Sequence, residues 1–486
     1  MKVLQSKASV IAMAVCLLFA AGCAQAAQAV ESNANSDAIS DYPMSDPTNT
    51  GGWVLNKTVS DEFNGTEIDR SKWLVQGDEG NYYIWKGRAP SQFAAHNVLV
   101  ENGLLKLRSQ WEPDFKFAKE AYAGGTYGDP IAPVTASGVV SKQRFLNGYM
   151  EVRTKASRSA MTSSFWLIGY QSELDIYEQM GAPKKQGNIK NNTYLSTVHD
   201  WRPGHFEAQT GQNSTFTNSY AMTSSVADDF HVFGCEWDAD YLKLYLDGKL
   251  IRSVSRAEIG KSWVLTNPME IWFDTEIFKW LGYPDKAELP ADYQVDYVRV
   301  WQKPSSNLLD RAFFGFEGPI LFQQNARPLT LVPENSENNS YQKFWWMDAN
   351  AAKYLSITED KFDGGIKSLK FTSTGPLEKP QIAAFAPNGS VMLPVGDFTL
   401  SMNVWIEPGA AVKQVHVILE NPWLELKPFD LTRVERGKWV RISQTFSHKK
   451  ASESNDRLRL RVDQADVPTG ASTFYMDDVS ITPKGK

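Results

Sequence analysis

Three carboxylic acids fall within six residues, Glu173-Leu174-Asp175-Ile176-Tyr177-Glu178, directly after the apolar run Phe165-Trp166-Leu167-Ile168. Strands avoid Asp and Glu, and acids in a buried or cleft-lining strand are costly unless they serve a function. In a regular strand Glu173, Asp175 and Tyr177 share one face, and Leu174, Ile176 and Glu178 the other. A β-bulge inserting one residue between Asp175 and Glu178 brings all three acids to one cleft. The two Glu are then about four strand steps apart, roughly 13 Å at Cα. Side chains leaning inward leave a gap on the order of 5 Å, the spacing for retaining rather than inverting cleavage of a glycosidic bond. Asp175 lies between them, and like charges this close push one carboxyl pKa upward, keeping a proton available for a leaving group. Trp166, seven residues before Glu173, is placed to offer an indole face to a sugar ring in the same cleft.

The elements that must hold these acids read as strands. From Trp53 to Lys303 the chain alternates in short runs broken by turn signals. Leu104 to Leu107, Tyr149 to Arg153, Tyr241 to Leu246 and Val295 to Trp301 each suit a strand. Asp247-Gly248 is a hairpin signal with strands on both sides. Some 250 residues of this kind imply a large antiparallel β-sandwich. Pro304-Ser305-Ser306-Asn307 punctuates its end. A second, smaller β-sandwich is expected over 309–486, where Arg457-Leu458-Arg459-Leu460-Arg461-Val462 alternates as a strand with one wet face.

The 486 residues carry 50 basic and 56 acidic side chains, a net charge of −6, which argues against nucleic acid as a partner. Three cysteines exclude a disulfide framework and a Cys-rich zinc site, and the five histidines other than His199 show no ligand-like spacing. Lys2 and Lys7 followed by the apolar run Ile11 to Ala21 read as an export leader over 1–22. It ends in Ala20-Ala21-Gly22-Cys23, which resembles a lipoprotein cleavage box with Cys23 as the lipidated residue. The rival is cleavage after Ala24-Gln25-Ala26. Residues 23–50 are expected to be a tether, and 51–303 the catalytic unit. The location expected is the cell surface or beyond it, with contact to a membrane only through the lipid.

With these motifs in place the chain resembles glycoside hydrolase family 16. The hexapeptide Glu173 to Glu178 matches the bulged form of that family's signature. Around it, in order, stand Asp61-Glu62-Phe63-Asn64-Gly65, Gly148 to Arg153, Gly234-Cys235-Glu236-Trp237, Tyr245-Leu246-Asp247-Gly248 and Val295 to Trp301. The resemblance implies an all-β fold, a curved jelly-roll catalytic domain followed by the smaller sandwich, acting inside a polysaccharide with retention. It makes Glu173 the nucleophile, Glu178 the acid–base and Asp175 their helper, with His199 in the cleft. It requires no cofactor, and suggests a structural Ca²⁺ on the face away from the cleft, at a position compatible with Asp296.

Trp85-Lys86-Gly87-Arg88-Ala89-Pro90 resembles a subsite loop of galactan hydrolases, and Trp201-Arg202 is a similar pairing. Arg can form paired hydrogen bonds to a sulfate ester while Trp stacks on the ring. Glu270-Ile271-Trp272-Phe273-Asp274-Thr275-Glu276 resembles the agarase and carrageenase branches and puts Trp272 among the substrate-binding residues. The substrate expected is a red-algal galactan of agarose, furcellaran or κ-carrageenan type cut at β-1,4 bonds by a monomer, with porphyran ranked below these. Hydrolysis of laminarin or mixed-linkage glucan, transglycosylation, and non-catalytic polysaccharide binding at the surface are the alternatives. The C-terminal unit resembles carbohydrate-binding modules, with Trp345, Trp346, Trp405 and Trp423 as candidate aromatics.

Overall fold

The computed structural model describes residues 42–83, 86–122, 125–169, 171–202, 214–317, 345–347, 351, 353–467 and 471–485. The acids lie on a seven-stranded antiparallel sheet. Its strands are β1 (Trp73–Val75), β2 (Gly138–Ser141), β3 (Thr162–Gly169), β4 (Ser172–Met180), β5 (Thr193–Asp200), β6 (Ser214–Ala221) and β7 (Glu270–Asp274), in the spatial order β6-β5-β4-β3-β7-β2-β1. A ten-stranded sheet packs against it and includes Leu104–Trp111, Gly148–Lys155, His231–Trp237, Tyr241–Leu246 and Ala291–Gln302. At the expected hairpin, Asp247 and Gly248 both take positive φ, 48° and 75°, which matches the twist of the flanking strands.

Alternation decides what each sheet buries. Met150, Val152, Phe233, Cys235, Val298 and Val300 of the large sheet meet Phe165, Leu167, Leu174, Ile176, Ile271 and Phe273 of the seven-stranded sheet in one core. The other face of β3 and β7 is also apolar. Trp166, Ile168 and Trp272 join Phe93, Val140 and Ile277 in a smaller cluster beneath the cleft. Cys235 is a buried free thiol.

The second sandwich has sheets of six and five strands around its own core, which includes Leu458, Leu460, Val462, Leu400 and Phe474. The linker is tied to it: the Leu308 amide donates to the Ile481 carbonyl at 2.8 Å.

The segment expected to be a free tether up to Thr50 is in part bound to the fold. The Met44 amide donates to Glu151 Oε2 at 2.9 Å. Trp53 packs with Tyr149 and Trp301, and Val54–Leu55 pairs with Trp301 and Gln302. Because Met150 and Val152 point into the core, Glu151 and Tyr149 lie on the outer face of the large sheet. This strap therefore covers the side away from the seven-stranded sheet. Low hydrophobicity hid it, since a single Trp anchors the segment.

Candidate functional site

The bulge that brings the acids together is present. On β4 the register against β3 passes from Phe165↔Tyr177 to Trp166↔Asp175, leaving Ile176 as the extra residue. Against β5 it shifts between Asp175 and Glu178. Ile176 and Tyr177 are consecutive, yet both belong to the main core. That double inward step returns Glu178 to the face of Glu173 and Asp175. Tyr177 accounts for the preference: its hydroxyl bonds Thr154 Oγ1 at 2.8 Å and the Tyr293 hydroxyl at 2.6 Å in the opposite sheet. Its ring also packs on Phe233 at 4.6 Å.

Strand β5 supplies the partners of the acids. His199 Nε2 is 3.0 Å from Asp175 Oδ2 and 3.8 Å from Glu173 Oε1. The Trp201 indole N–H donates to Glu173 Oε2 at 2.9 Å, and its ring stacks along His199. Burial pushes Glu173 up to about 7 and Glu178 up to about 8, with the Asp175 charge adding to both. His199, Arg88 and the Trp201 indole pull Glu173 the other way. Burial acts to lower the His199 pKa, but the bond to Asp175 and the charges of all three acids outweigh it and carry the ring up to about 10. An imidazolium therefore sits beside an acid cluster whose two Glu carboxyls burial biases toward their protonated forms.

Arg88 approaches from the other side. Its Nε bonds Glu276 Oε2 at 3.0 Å, and its guanidinium lies over Phe278 and Trp280 at 5.2 and 5.8 Å. Trp280 stacks on Phe278 at 4.4 Å and is 49% exposed, a flat aromatic surface beside a cation.

Several expected residues are placed differently. Trp272 is fully buried and stacks beneath Trp166 at 4.8 Å, so it supports the cleft floor and cannot meet a sugar. Trp166 itself is only 6% exposed, and its indole donates to Asp274 Oδ2 at 3.1 Å. Arg202 is buried and bound to Asp200 and Glu359, so its guanidinium is not presented to a sulfate ester. Asp296 pairs with the Arg153 guanidinium. Trp85 and Cys23 lie outside the described residues.

Three residues at the site escaped the sequence reading. Asp274, Glu276 and Trp280 all follow the quoted stretch Glu270 to Glu276 or lie within it. Ser164 pairs with both Glu178 and Asp274, which puts Asp274 two strands from Glu178 in one row. Burial, reinforced by Glu276 and Glu178, holds Asp274 well above the usual carboxylate range. Two acids and an apolar strand were the available signal for Asp274 and Glu276. For Trp280 there was none, because it sits in a short 3₁₀ turn, Lys279–Leu281.

Residues 53–303 match a family described as beta-porphyranase A-D, GH16 domain. Beta-porphyranase E of Zobellia galactanivorans is 30% identical over 272 residues, 51% of this chain and 88% of its own. Beta-porphyranase B of Phocaeicola plebeius is 29% identical over 284 residues, 51% of this chain and 84% of its own. The crystal structure of porphyranase B from Zobellia galactanivorans is 26% identical and covers 51% of this chain and 92% of that one, with a TM-score of 0.42.

Proposed function

The chain belongs to glycoside hydrolase family 16 and is an endo-glycosidase, and from that premise we propose that it cleaves a porphyran-type red-algal galactan with retention at the anomeric carbon. The observation that carries the reaction is the bulged strand β4, with Glu173, Asp175 and Glu178 on one face and His199 and Trp201 turned toward them.

In the first step the Glu173 carboxylate attacks the anomeric carbon while Glu178 gives its proton to the departing glycosidic oxygen. A glycosyl ester on Glu173 results. In the second step Glu178 takes a proton from water, and the water oxygen displaces Glu173. The pKa order suits these roles. Glu178, pushed up furthest, keeps its proton longer, while the indole N–H and imidazolium pull Glu173 below it, so Glu173 is the first of the two to ionise. Asp175 keeps His199 charged and oriented over the nucleophile.

The substrate ranking changes from the sequence reading, which put porphyran below agarose, furcellaran and κ-carrageenan. The matching family and both relatives above are porphyranases by name. Arg88 beside the Trp280 face suits a ring bearing a sulfate ester. Export with a lipid on Cys23 belongs to the same proposal, and loss of radiolabelled palmitate from a Cys23→Ala chain tests it.

The decisive experiment offers porphyran, agarose, furcellaran, κ-carrageenan, laminarin and mixed-linkage glucan, with products read by mass spectrometry and the new anomer by proton NMR. Release of sulfated oligosaccharides from porphyran, first as the β anomer, is expected. Glu173→Gln and Glu178→Gln each lose at least about 10³-fold in kcat while remaining folded. Exclusive action on a glucan, an α product, or full activity of either variant sinks the reading.

A further inference from the structure

Strand β5 ends in residues that do two kinds of work. His199 and Trp201 reach Asp175 and Glu173, as described. Asp200 and Arg202, their immediate neighbours, are buried. Arg202 holds Asp200 through two parallel bonds, Nε to Oδ1 at 3.0 Å and Nη2 to Oδ2 at 2.8 Å, and its backbone amide also donates to Oδ1 at 3.1 Å. Nη2 bonds the Lys261 carbonyl at 2.6 Å. The remaining arm, Nη1, crosses to Glu359 Oε2 at 3.0 Å. Glu359 follows the strand Leu355–Thr358 of the C-terminal sandwich. A second contact lies nearby, with Arg256 over the Phe362 ring at 5.6 Å.

A buried guanidinium is a planar fork with fixed donor directions. Once its two edges are committed to Asp200 and the Lys261 carbonyl, a carboxylate on Nη1 fixes the last degree of freedom. Trp201 is the residue before this fork, and its own amide donates to the Gln171 carbonyl at 3.0 Å in the turn that leads into Glu173. The indole that meets the nucleophile is thus carried on a segment pinned by both sandwiches.

We propose that Glu359 is a positioning residue for the glycosidase: through Arg202 it holds residues 199–202 so that the Trp201 indole stays on Glu173. The C-terminal sandwich is then a working part of the active site, whatever else it binds. This rests on Glu173 being the nucleophile. The groups that face Glu173 are Asp175 and Glu178 on its own strand, His199 on β5 and Trp201 just past its end, and Arg88 from the loop opposite. Trp201, His199 and Arg88 favour the carboxylate, and Asp175 disfavours it. Loosening Trp201 removes one favourable partner, so Glu173 holds its proton to higher pH.

The test is Glu359→Ala in the full chain. Glu359 has a side chain 47% exposed, so the fold tolerates the change. Deuterium uptake is expected to rise across residues 195–202 and to stay unchanged in the strand Gly148–Lys155. On porphyran, kcat falls roughly tenfold with KM little altered, and the acidic limb of the kcat/KM profile moves up by about half a unit. Glu359→Gln, which still accepts a bond from Nη1, recovers most of both. Unchanged uptake overturns the proposal. So does faster uptake with an unmoved pH limb, since Glu359 would then steady the segment without positioning the indole. An inactive parent chain rejects the glycosidase reading instead, and the uptake measurement still decides whether Glu359 holds the segment.

Discussion

At the scale of residues, the site stores its chemistry as an unfavourable burial. Glu178 has an ordinary pKa of 4.5 and is pushed up to about 8 in the fold. Between those values the folded chain keeps a proton that the unfolded chain gives up. Folding stability therefore falls as pH rises through this window. Gln in place of Glu178 removes the penalty. Glu178→Gln is expected to raise the melting temperature at pH 8, worth about 1–2 kcal/mol, with the difference closing toward pH 5. A variant no more stable at pH 8 than at pH 5, relative to its parent, would contradict the burial described. The same pair shapes activity. Turnover needs Glu173 ionised and Glu178 protonated, so kcat/KM is expected to be a narrow bell whose limbs belong to the coupled pair. A broad plateau from pH 5 to 9 would contradict it.

At the scale of elements, the bulge was legible because alternation fails within six residues: no regular strand puts Glu173 and Glu178 on one side. The strands around it were legible for the same reason of period. What stayed hidden depends on register between distant segments. Trp272 reads as a cleft residue in its own strand, but β7 pairs it with Trp166, 106 positions earlier, and the stack leaves it no surface. Arg202 reads as a basic residue beside a Trp until Glu359 is seen across the fold. The aromatics of the second sandwich divide likewise: Trp345 is core, Trp405 is half-buried, and Trp423 is 57% exposed with Arg459 over its ring. Trp272 and Trp280 should therefore separate. Trp272→Ala is expected to cost about 3–5 kcal/mol of stability. Trp280→Ala is expected to leave the melting temperature in place and raise KM on polysaccharide roughly three- to tenfold. Equal effects of the two on melting and on KM would reverse the assignment of floor and platform.

For the whole molecule, two sandwiches with separate cores are joined by charged and aromatic contacts rather than by a shared core. Glu317, at the start of the second unit, is buried where Thr266 of the first approaches it, and burial carries its pKa up to about 7. Such a junction couples the units. Calorimetry at neutral pH is expected to show one cooperative transition, splitting into two in Glu359→Ala as the pairing with Arg202 is lost. Two well-separated transitions in the parent chain would refute the coupling.

The strap of residues 42–55 bears on how the catalytic unit can be produced alone. The match to its family begins at residue 53 and ends at 303, and a recombinant fragment cut there looks natural. It would lose the Met44 amide that meets Glu151, leave Trp53 at a raw chain end, and strip Glu359 from Arg202. The buried acid Glu151 would then lose its cover, and the Trp53 that shields Tyr149 and Trp301 would hang from a frayed end. Such a fragment should be prone to self-association, and poor solubility would report its missing covers rather than a defect in the hydrolase itself.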